Sequence, residues 1–274
     1  MYTDRKTLKP LKIGELTVEK PIIQGGMGVG VSRSNLAGAV AAEGGIGIIS
    51  TAQIGYDEEG FEKDQAGCNR IAIRKHIHRA KEIAEGKGLV GVNIMVALKH
   101  YKEHVQEAVR AGADVIISGA GLPMDLPKLV GNNKTKIAPI VSSRRATQLI
   151  LKMWAHRYNR TADFIVIEGP KAGGHLGFKK EQLQDQNYAL DVLIPEVVAI
   201  AASYKEQKHI PVIAAGGIST GEDIAHFMEL GASGVQMGSI FVTTLECDAS
   251  ETFKEVYIHS KSEDVLIIES PVGM

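Results

Sequence analysis

The segment 168–177, Glu-Gly-Pro-Lys-Ala-Gly-Gly-His-Leu-Gly, holds the residues best suited to chemistry in this sequence. It follows the apolar run 164–167, which is typical of a buried strand. A glycine-rich loop at the end of such a strand lets the backbone approach a flat ligand closely. Histidine is the side chain that gains and loses a proton near neutral pH. If the chain is an enzyme, His175 is therefore the candidate catalytic residue.

Three further glycine-rich turns, Gln24–Gly28, Ala214–Ser219 and Val235–Ser239, each follow a predicted strand. In a barrel of eight strands, the loops after the seventh and eighth strands commonly bind a phosphate through backbone N–H groups. Glycine at these positions removes the Cβ that would stand between the amides and the anion. The last two turns therefore predict a phosphate site, with tight turns that bind no ligand as the alternative.

Other phosphate-binding motifs do not match. The sequence contains no P-loop, and the early glycines follow the pattern Gly26-x-Gly28-x-x-Val31, which lacks the third glycine of the dinucleotide fingerprint. The second predicted strand ends at Ile49 and continues with Ser and Thr, without the acidic residue that would hold a ribose. A Rossmann site is therefore disfavoured.

Apolar, β-rich runs alternate with amphipathic stretches along almost the whole chain. The runs predict strands at 21–24, 46–49, 89–95, 115–118, 137–141, 164–167, 212–215 and 234–237. The amphipathic stretches predict helices at about 34–43, 71–85, 99–111, shortly after 123, and at 144–156, 191–204 and 221–230. Continuous apolar strands separated by helices indicate a parallel sheet covered on both faces, and eight such units predict an α/β fold of the TIM (β/α)8 barrel type. A doubly wound open sheet is the main alternative, although about six strands would be enough for it.

Two irregular segments, 51–70 and 178–188, are long and polar. Each follows a predicted strand, at the face where a barrel builds its active site, so we expect elaborated loops there. No linker or change of composition divides the chain. The sequence therefore predicts a single barrel domain over residues 1–274.

Composition and charge disfavour several classes of function. The 274 residues carry a formal net charge of −1, with a pI of about 6.8, which gives no electrostatic basis for binding nucleic acid or an anionic membrane. No apolar run approaches the roughly 20 residues that span a bilayer, and the polar start predicts no signal peptide. The two cysteines, Cys68 and Cys247, are far apart, which predicts structural thiols and suits a reducing cytoplasm.

Two pairs of histidines outside the glycine-rich loops predict no metal site. His100 and His104 fit an H-x-x-E-H pattern, but they lie in the polar start of a predicted helix and no other cluster supplies a third ligand. We therefore expect a solvated helix face there. His76 and His78 lie in a basic run, and we expect both on an exposed face as well.

Five segments together resemble the nitronate monooxygenase family, formerly called 2-nitropropane dioxygenases. They are Pro21–Gly28, Gly91–Ile94, Glu168–Gly177, Pro211–Ile218 and Gly234–Ser239. The family shares its fold and flavin site with the flavin-dependent enoyl-acyl carrier protein reductases. The resemblance covers nearly the whole chain, and it implies a TIM barrel that binds FMN.

The resemblance also implies a role for each residue that matches these motifs. His175 would be the catalytic residue that faces the flavin. The residues expected to contact the phosphate and the ribityl chain are Gly216, Gly217, Gln236, Gly238 and Ser239. Those expected to line the isoalloxazine are Gln24, Gly25, Met27 and Asn93. The cofactor site expected from the motifs further includes Glu168, Gly174 and Met237.

Three positions leave alternatives open. Glu168 could instead orient His175, or be held by backbone amides at the end of its strand. Lys171 stands where the family usually has Glu, and we expect it to draw in the anionic substrate, with a solvated loop lysine as the alternative. Gly26 stands where many nitronate monooxygenases have Pro, and the sequence Gln-Gly-Gly-Met also occurs in the reductases.

The implied activity is FMN-dependent oxidation of an alkyl nitronate by O2 to a carbonyl compound and nitrite. An NAD(P)H-dependent enoyl-acyl carrier protein reductase is the second interpretation, and a flavin- or phosphate-binding barrel without catalysis is the third. The natural substrate, the use of NAD(P)H and the formation of a homo-oligomer stay open. Family members usually continue beyond the position of Met274, so the sequence also leaves open whether a C-terminal segment is missing.

Overall fold

The computed structural model describes residues 8–204 and 208–269. The strands in this part of the chain are β1 (Leu11–Ile13), β2 (Leu16–Val18), β3 (Ile22–Gln24), β4 (Ile46–Ser50), β5 (Leu89–Met95), β6 (Val115–Gly119), β7 (Lys136–Val141), β8 (Ile165–Glu168), β9 (Val212–Ala215) and β10 (Gly234–Met237). The α-helices there are α1 (Ser34–Ala42), α2 (Gln65–Ala84), α3 (Tyr101–Arg110), α4 (Leu126–Val130), α5 (Arg144–Tyr158), α6 (Leu190–Ala202), α7 (Gly221–Glu229), α8 (Ser239–Val242) and α9 (Glu251–His259). None of the helices in these ranges is long and apolar enough to cross a membrane.

Strands β3–β10 form a closed barrel in the order β10-β3-β4-β5-β6-β7-β8-β9, with every neighbouring pair parallel. They are the eight strands that the sequence predicts, and each end differs from the prediction by at most one residue. Closure depends on β10, which pairs with β9 and also with β3, where Met237 lies opposite Gln24. An open sheet would leave both strands as edges, so the doubly wound alternative is wrong and the fold is the predicted TIM barrel.

The barrel strands are apolar on both faces. In β4, Ile46 and Ile48 lie in a buried cluster with Phe164 inside the barrel. The next residue, Ile49, lies in the larger cluster between the strands and the helices. Burial on both faces is what distinguishes parallel strands covered by helices from half-exposed antiparallel ones, and it explains the continuous apolar runs of the sequence.

A short hairpin formed by β1 and β2 precedes the barrel, and the sequence analysis did not predict it. Its turn includes Gly14, whose φ of +61° favours glycine. Leu11 and Ile13 are fully buried in the same cluster as the inward-facing residues of the barrel. Glu15 in the turn pairs with Lys136, the first residue of β7, at 2.7 Å. The hairpin therefore covers the N-terminal end of the barrel, and the opposite end is left for a functional site.

The N-terminus of α1 is capped by a residue from the far end of the chain. The Asp248 carboxylate accepts hydrogen bonds from the backbone N–H groups of Arg33 at 2.8 Å and Leu36 at 3.2 Å. A carboxylate at this position pairs amides that have no partner within the helix, and the helix dipole stabilises its charge. The adjacent Cys247 thiol donates to Val31 O at 3.3 Å. The segment after α8 is therefore fixed to the loop after β3.

The two long polar segments follow β4 and β8, but each contains some helix. Helix α2 begins at Gln65, within the segment 51–70 that the sequence predicts to be irregular. Asp64 causes this early start, because its carboxylate accepts a hydrogen bond from Gly67 N at 2.8 Å and caps the first turn. The segment 178–188 contains two short 3-10 turns, so the loops are more ordered than predicted.

Candidate active site

A cleft of about 360 Å³ opens at the C-terminal ends of β6, β7 and β8, on the side of a TIM barrel where active sites are built. Its lining consists of Ala120, Gly121, Leu122, Ile140, Val141, Ser142, Ser143, Ala146, Glu168, His175, Leu176 and Gly177. Within this lining, Glu168 and His175 are the titratable side chains, and the others are apolar, hydroxylic or glycine. The cleft therefore suits a small, largely apolar molecule that meets two proton-exchanging groups.

The loop that carries His175 is anchored at both ends. At its start, Gly169 N donates a hydrogen bond to a carbonyl group of β9 at 2.9 Å, which continues the pairing of β8 with β9. At its end, the Ser142 hydroxyl donates to Gly177 O at 3.0 Å. A Cβ at position 177 would lie only 2.3 Å from Ser142 Oγ, so this anchor requires glycine. Gly174, at a φ of +82°, turns the chain immediately before His175.

Glu168 is the last residue of β8 and lines the same cleft as His175. Burial raises the pKa of Glu168 to about 7, because a carboxylate loses hydration when it is removed from water. Among the described residues, no backbone amide donates to this carboxyl group, which argues against the interpretation that amides hold it. Near neutral pH the carboxyl group of Glu168 can therefore hold or release a proton in the cleft that His175 also lines.

The raised pKa of Glu168 predicts a pH-dependent loss of stability. Because the pKa rises from 4.5 to about 7 on folding, the native protein keeps a proton that the unfolded chain has already lost. The stabilisation is complete below about pH 4.5 and is lost as the pH rises to about 7, and it amounts to at most about 3 kcal/mol. We expect Glu168→Gln to remove this part of the pH dependence of the free energy of unfolding.

Urea unfolding of the protein without added ligand at several pH values between about 4.5 and 8 measures this effect. Glu181→Gln is the matched control, because Glu181 is an exposed residue of a neighbouring 3-10 turn. If the difference in unfolding free energy between wild type and Glu168→Gln were the same at every pH, Glu168 would not have a raised pKa.

The two glycines after β9 are required by the packing of the loop after β8. Gly216 has a φ of +103° and Gly217 a φ of +74°. A Cβ at position 216 would lie 2.9 Å from Ala172 N, and a Cβ at position 217 would lie 2.9 Å from Lys171 Cβ. The two loops therefore form one surface on which the backbone of the turn carries no side chain. Contact between the two loops therefore accounts for both glycines, and a phosphate could reach only those amides of the turn that this contact leaves open.

The turn after β10 lies beside the loop after β3. Gly25 N donates a hydrogen bond to Met237 O at 2.8 Å, so Met237 contributes its carbonyl group here while its side chain packs in the outer hydrophobic layer. A Cβ at Gly238 would lie 3.5 Å from Met27 Sδ, and the exposed Ser239 begins α8. The structure thus brings together residues of two motifs that are separated by more than two hundred positions in the sequence.

Gln24 has no free side-chain amide to offer a ligand. Its side chain is fully buried, its Oε1 accepts a hydrogen bond from Ile48 N at 3.1 Å, and its Nε2 donates to Gly25 O. Contact between Gln24 and a ligand would have to use the backbone. Asn93, by contrast, is partly exposed and packs against Gly26, where a Cβ would lie 2.4 Å from Asn93 Cβ.

Gln236 supplies an unpaired polar atom in this region. Its Oε1 is buried and accepts no hydrogen bond from the residues that the structure describes. A buried acceptor without a donor costs about 1–3 kcal/mol. The side chain lies against Gly25, where a Cβ would be 3.2 Å from Gln236 Cγ. A ligand with an N–H or O–H group at this position would satisfy Oε1, so the residues present fit a phosphorylated cofactor such as a flavin.

Two histidines predicted to lie on solvated faces are buried, and those predictions are wrong. His104 is 3% exposed and bonds Thr51 Oγ1 at 3.2 Å, and His76 is 8% exposed and bonds Ser34 Oγ at 2.9 Å. Burial lowers the pKa of both histidines to about 4. His76 lies on the apolar stripe of α2, next to Ile77, and the charge of the surrounding run conceals this helical phase in the sequence.

The remaining histidines and both cysteines are placed differently. His78 is exposed, as predicted, and His100 is half-buried. Within the two described ranges, His, Cys, Asp and Glu side chains form no group of three that could hold a metal ion. Cys68 and Cys247 are buried free thiols that donate to backbone carbonyl groups, in agreement with the structural role predicted for them.

Most residues predicted for the site lie along one arc of the barrel rim, from β8 through β9, β10, β3 and β4 to β5. Lys171 is exposed and does not line the cleft, since its side chain runs along Gly217. The sequence analysis missed the part of the cleft formed by Leu122, Ile140 and Ser142. The available signal was their position at the ends of the fourth and fifth predicted strands, where a TIM barrel carries functional residues: Ile140 lies near the end of the fifth, and Leu122 and Ser142 follow the fourth and fifth.

Comparison with known protein families and sequences gives a consistent result. A family model described as "Nitronate monooxygenase" matches residues 9–274. Proteins named "Probable nitronate monooxygenase" from Staphylococcus aureus strains Newman and JH9 are each 26% identical to this chain, over 280 and 287 aligned residues. Each alignment covers 94% of this chain and 74% of the relative.

Solved structures with a similar fold include FabK from Thermotoga maritima, at a TM-score of 0.68 and 29% identity over 89% of this chain. The chain spans 65% of the FabK chain, which is less than two thirds of its length. A nitroalkane oxidase from Streptomyces ansochromogenes has the same TM-score of 0.68, with 21% identity over 87% of this chain and 70% of that chain. At that identity the similarity shows the fold alone.

Proposed function

Because its family model matches residues 9–274, the chain belongs to the nitronate monooxygenase family, and we propose that it oxidises alkyl nitronates with FMN and O2 to a carbonyl compound and nitrite. The family supports an oxidoreductase that acts on a small molecule. We further propose that the substrate is a nitronate, that the cofactor is FMN and the oxidant O2, and that the protein is located in the cytoplasm.

The observation that carries the proposal is the small cleft with two titratable groups. Its volume of about 360 Å³ is at the lower end of the roughly 300–1,000 Å³ usual for ligand pockets, which suits a short nitroalkane. The lining apart from Glu168 and His175 is uncharged, so the charge of a nitronate would be met by these two residues. A nucleotide-sized substrate would exceed this space.

In the proposed reaction, an imidazole nitrogen of His175 removes the α-proton of a neutral nitroalkane, or donates a hydrogen bond to a nitronate oxygen once the anion is bound. Glu168 holds its own proton below about pH 7 and therefore does not repel the anion. Leu122, Ile140 and Leu176 exclude water from the reacting carbon. Bound FMN would supply the redox chemistry between the substrate and O2, and the residues named here would bind and orient the substrate.

The cofactor would occupy the adjacent part of the rim. The bare backbone at Gly216, Gly217 and Gly238 would receive the phosphate, and the unpaired Gln236 Oε1 would accept a hydrogen bond from a hydroxyl or N–H group of the flavin. FMN is favoured over FAD because the sequence lacks the fingerprint for an adenine dinucleotide. Asn93 is the half-buried side chain available to the ring on the β5 side.

Anaerobic mixing of the purified protein with ethylnitronate, NADH or NADPH tests the proposed function. We expect ethylnitronate to bleach the flavin absorbance much faster than either nicotinamide. Rapid bleaching by NADH, together with turnover of a crotonyl thioester, would contradict nitronate oxidation. A protein that purifies without colour and takes up no added FMN would instead support a barrel without flavin catalysis.

Enoyl-acyl carrier protein reduction is the second candidate, and the loop after β3 favours it. Position 26 is Gly, whereas many nitronate monooxygenases have Pro there and the reductases also contain Gln-Gly-Gly-Met. A Cβ at this position would lie 2.4 Å from Asn93 Cβ, so this chain could not accept the Pro without moving Asn93. The bleaching experiment distinguishes the two candidates, because it shows whether ethylnitronate or a nicotinamide reduces the flavin faster.

A further inference from the structure

Lys171 lies against the glycine turn after β9. A Cβ at Gly217 would lie 2.9 Å from Lys171 Cβ and 3.0 Å from Lys171 Cδ, so the stem of the lysine crosses the face of this glycine. Ala172 covers Gly216 in the same way, through its backbone nitrogen at 2.9 Å from the Cβ position. The loop after β8 therefore delivers a lysine to the turn that the sequence predicts to bind phosphate.

The helix after this turn does not supply the positive charge that a phosphate requires. The Asp223 carboxylate accepts hydrogen bonds from Ser219 N and Thr220 N, both at 2.9 Å, and Asp223 N donates to Thr220 Oγ1 at 3.1 Å. A carboxylate at the N-terminus of α7 occupies amides that would otherwise face an anion, and it offsets the positive end of the helix dipole. A phosphate monoester carries about −1.5 to −2 charges near pH 7, so a cation is needed nearby.

The Lys171 ammonium group is available for this purpose. The residue is exposed, and across residues 8–204 and 208–269 it forms no ion pair with a carboxylate. A lysine whose stem packs on protein while its ammonium stays in water can turn its three N–H groups towards an arriving anion. Lys179 and Lys180 lie on the same loop and are also exposed, but the atoms nearest to the Cβ positions of Gly216 and Gly217 belong to Ala172 and Lys171.

We propose that Lys171 binds the phosphate group of the flavin cofactor. This differs from the role of attracting substrate that the sequence alone indicates, because Lys171 does not line the cleft that contains His175. The proposal rests on the FMN site of the proposed function. It assigns the cation of that site to the loop after β8, whereas the phosphate-binding glycines follow β9 and β10.

Binding of FMN and of riboflavin, which lacks the phosphate, tests the proposal by fluorescence titration of the flavin-free protein. Lys171→Met keeps an unbranched stem over Gly217 and removes the charge. We expect it to raise the Kd for FMN about tenfold, the usual size of a lost hydrogen bond to a charged group, and to leave the Kd for riboflavin unchanged. Lys171→Arg should restore FMN binding to within about threefold of wild type. Lys179→Met, the matched control, should change neither constant.

An unchanged Kd for FMN in Lys171→Met would overturn the proposal, and so would an equal loss of FMN and riboflavin, since Lys171 would then support the loop or the ring. A raised KM for nitronate with unchanged FMN binding would also overturn it, in favour of the substrate role. If wild type binds neither FMN nor riboflavin, the proposed cofactor fails, and this inference fails with it. Thermal unfolding of each variant establishes that the barrel is folded.

Discussion

His175→Ala is expected to lower kcat/KM for a neutral nitroalkane about 10²-fold or more while the flavin stays bound, because removal of a positioned general base has an effect of this size. His175 lies in the cleft between two fixed loop ends, so its loss should leave the surrounding backbone in place. Preformed ethylnitronate has already lost its α-proton, and its turnover should fall much less. Steady-state rates with nitroethane and ethylnitronate, together with the absorbance of bound flavin, measure both effects.

His226→Ala is the matched control for this experiment. His226 lies on α7, outside the cleft, and pairs with Asp191 at 2.6 Å, so its removal should leave both rates near wild type. If His175→Ala turned over both substrates at near wild-type rates, His175 would have a structural role only. An equal, large loss with both substrates would mean that His175 acts on the bound anion and takes no proton from the nitroalkane.

Gly217→Asp is expected to weaken FMN binding about 100-fold or more. The residue has a φ of +74°, which costs a residue with a Cβ roughly 1–2 kcal/mol, and its Cβ would lie 2.9 Å from Lys171 Cβ. The new carboxylate would also lie beside Lys171, where it would compete with the proposed phosphate for the ammonium group, and each 1.4 kcal/mol of lost binding free energy raises the Kd tenfold. Titration of the flavin-free variant with FMN measures the change, and heat denaturation of the wild type should release FMN.

Gly86→Asp separates the phosphate effect from backbone strain. Gly86 has nearly the same φ, +73°, and a Cβ there would meet nothing within 4 Å. It lies between α2 and β5, at the opposite end of the barrel from the proposed site. The control should therefore bind FMN with a Kd close to that of wild type. A folded Gly217→Asp variant with unchanged affinity, or the release of FAD on heating, would contradict the proposed phosphate site.

The barrel was predictable because its signal is local. Each of the eight strands is a continuous apolar run bounded by turn residues, and burial on both faces makes such runs easy to recognise. The hairpin of β1 and β2 escaped prediction because each strand has three residues, too few for a period of two to stand out. The hairpin is stabilised by burial of its apolar residues against the inside of the barrel. That contact cannot be predicted from the sequence of the hairpin alone.

The candidate site was predictable only in part. His175 and the glycine turns lie in short motifs, and the structure brings those motifs to one end of the barrel. The cleft itself depends on Leu122, which follows β6, and on Ile140, which lies near the end of β7, and nothing in their own segments distinguishes them. His76 and His104 were wrongly predicted to be exposed, because charged neighbours obscured which face of α2 and of α3 is apolar. The apolar face of each helix is the one that packs against the barrel.

The cap that Asp248 places on α1 makes the start of this helix depend on a segment that is synthesised much later. The Asp248 carboxylate accepts a hydrogen bond from the backbone N–H of Arg33, which is synthesised 215 residues earlier. Until residues 234–248 follow, the first amides of α1 have only water as a partner and β3 lacks its neighbour β10. The nascent chain therefore presents an unpaired strand edge, a surface on which partly made barrels can associate with one another. A chain cut before Asp248 keeps α1 uncapped, however well its earlier β/α units have folded.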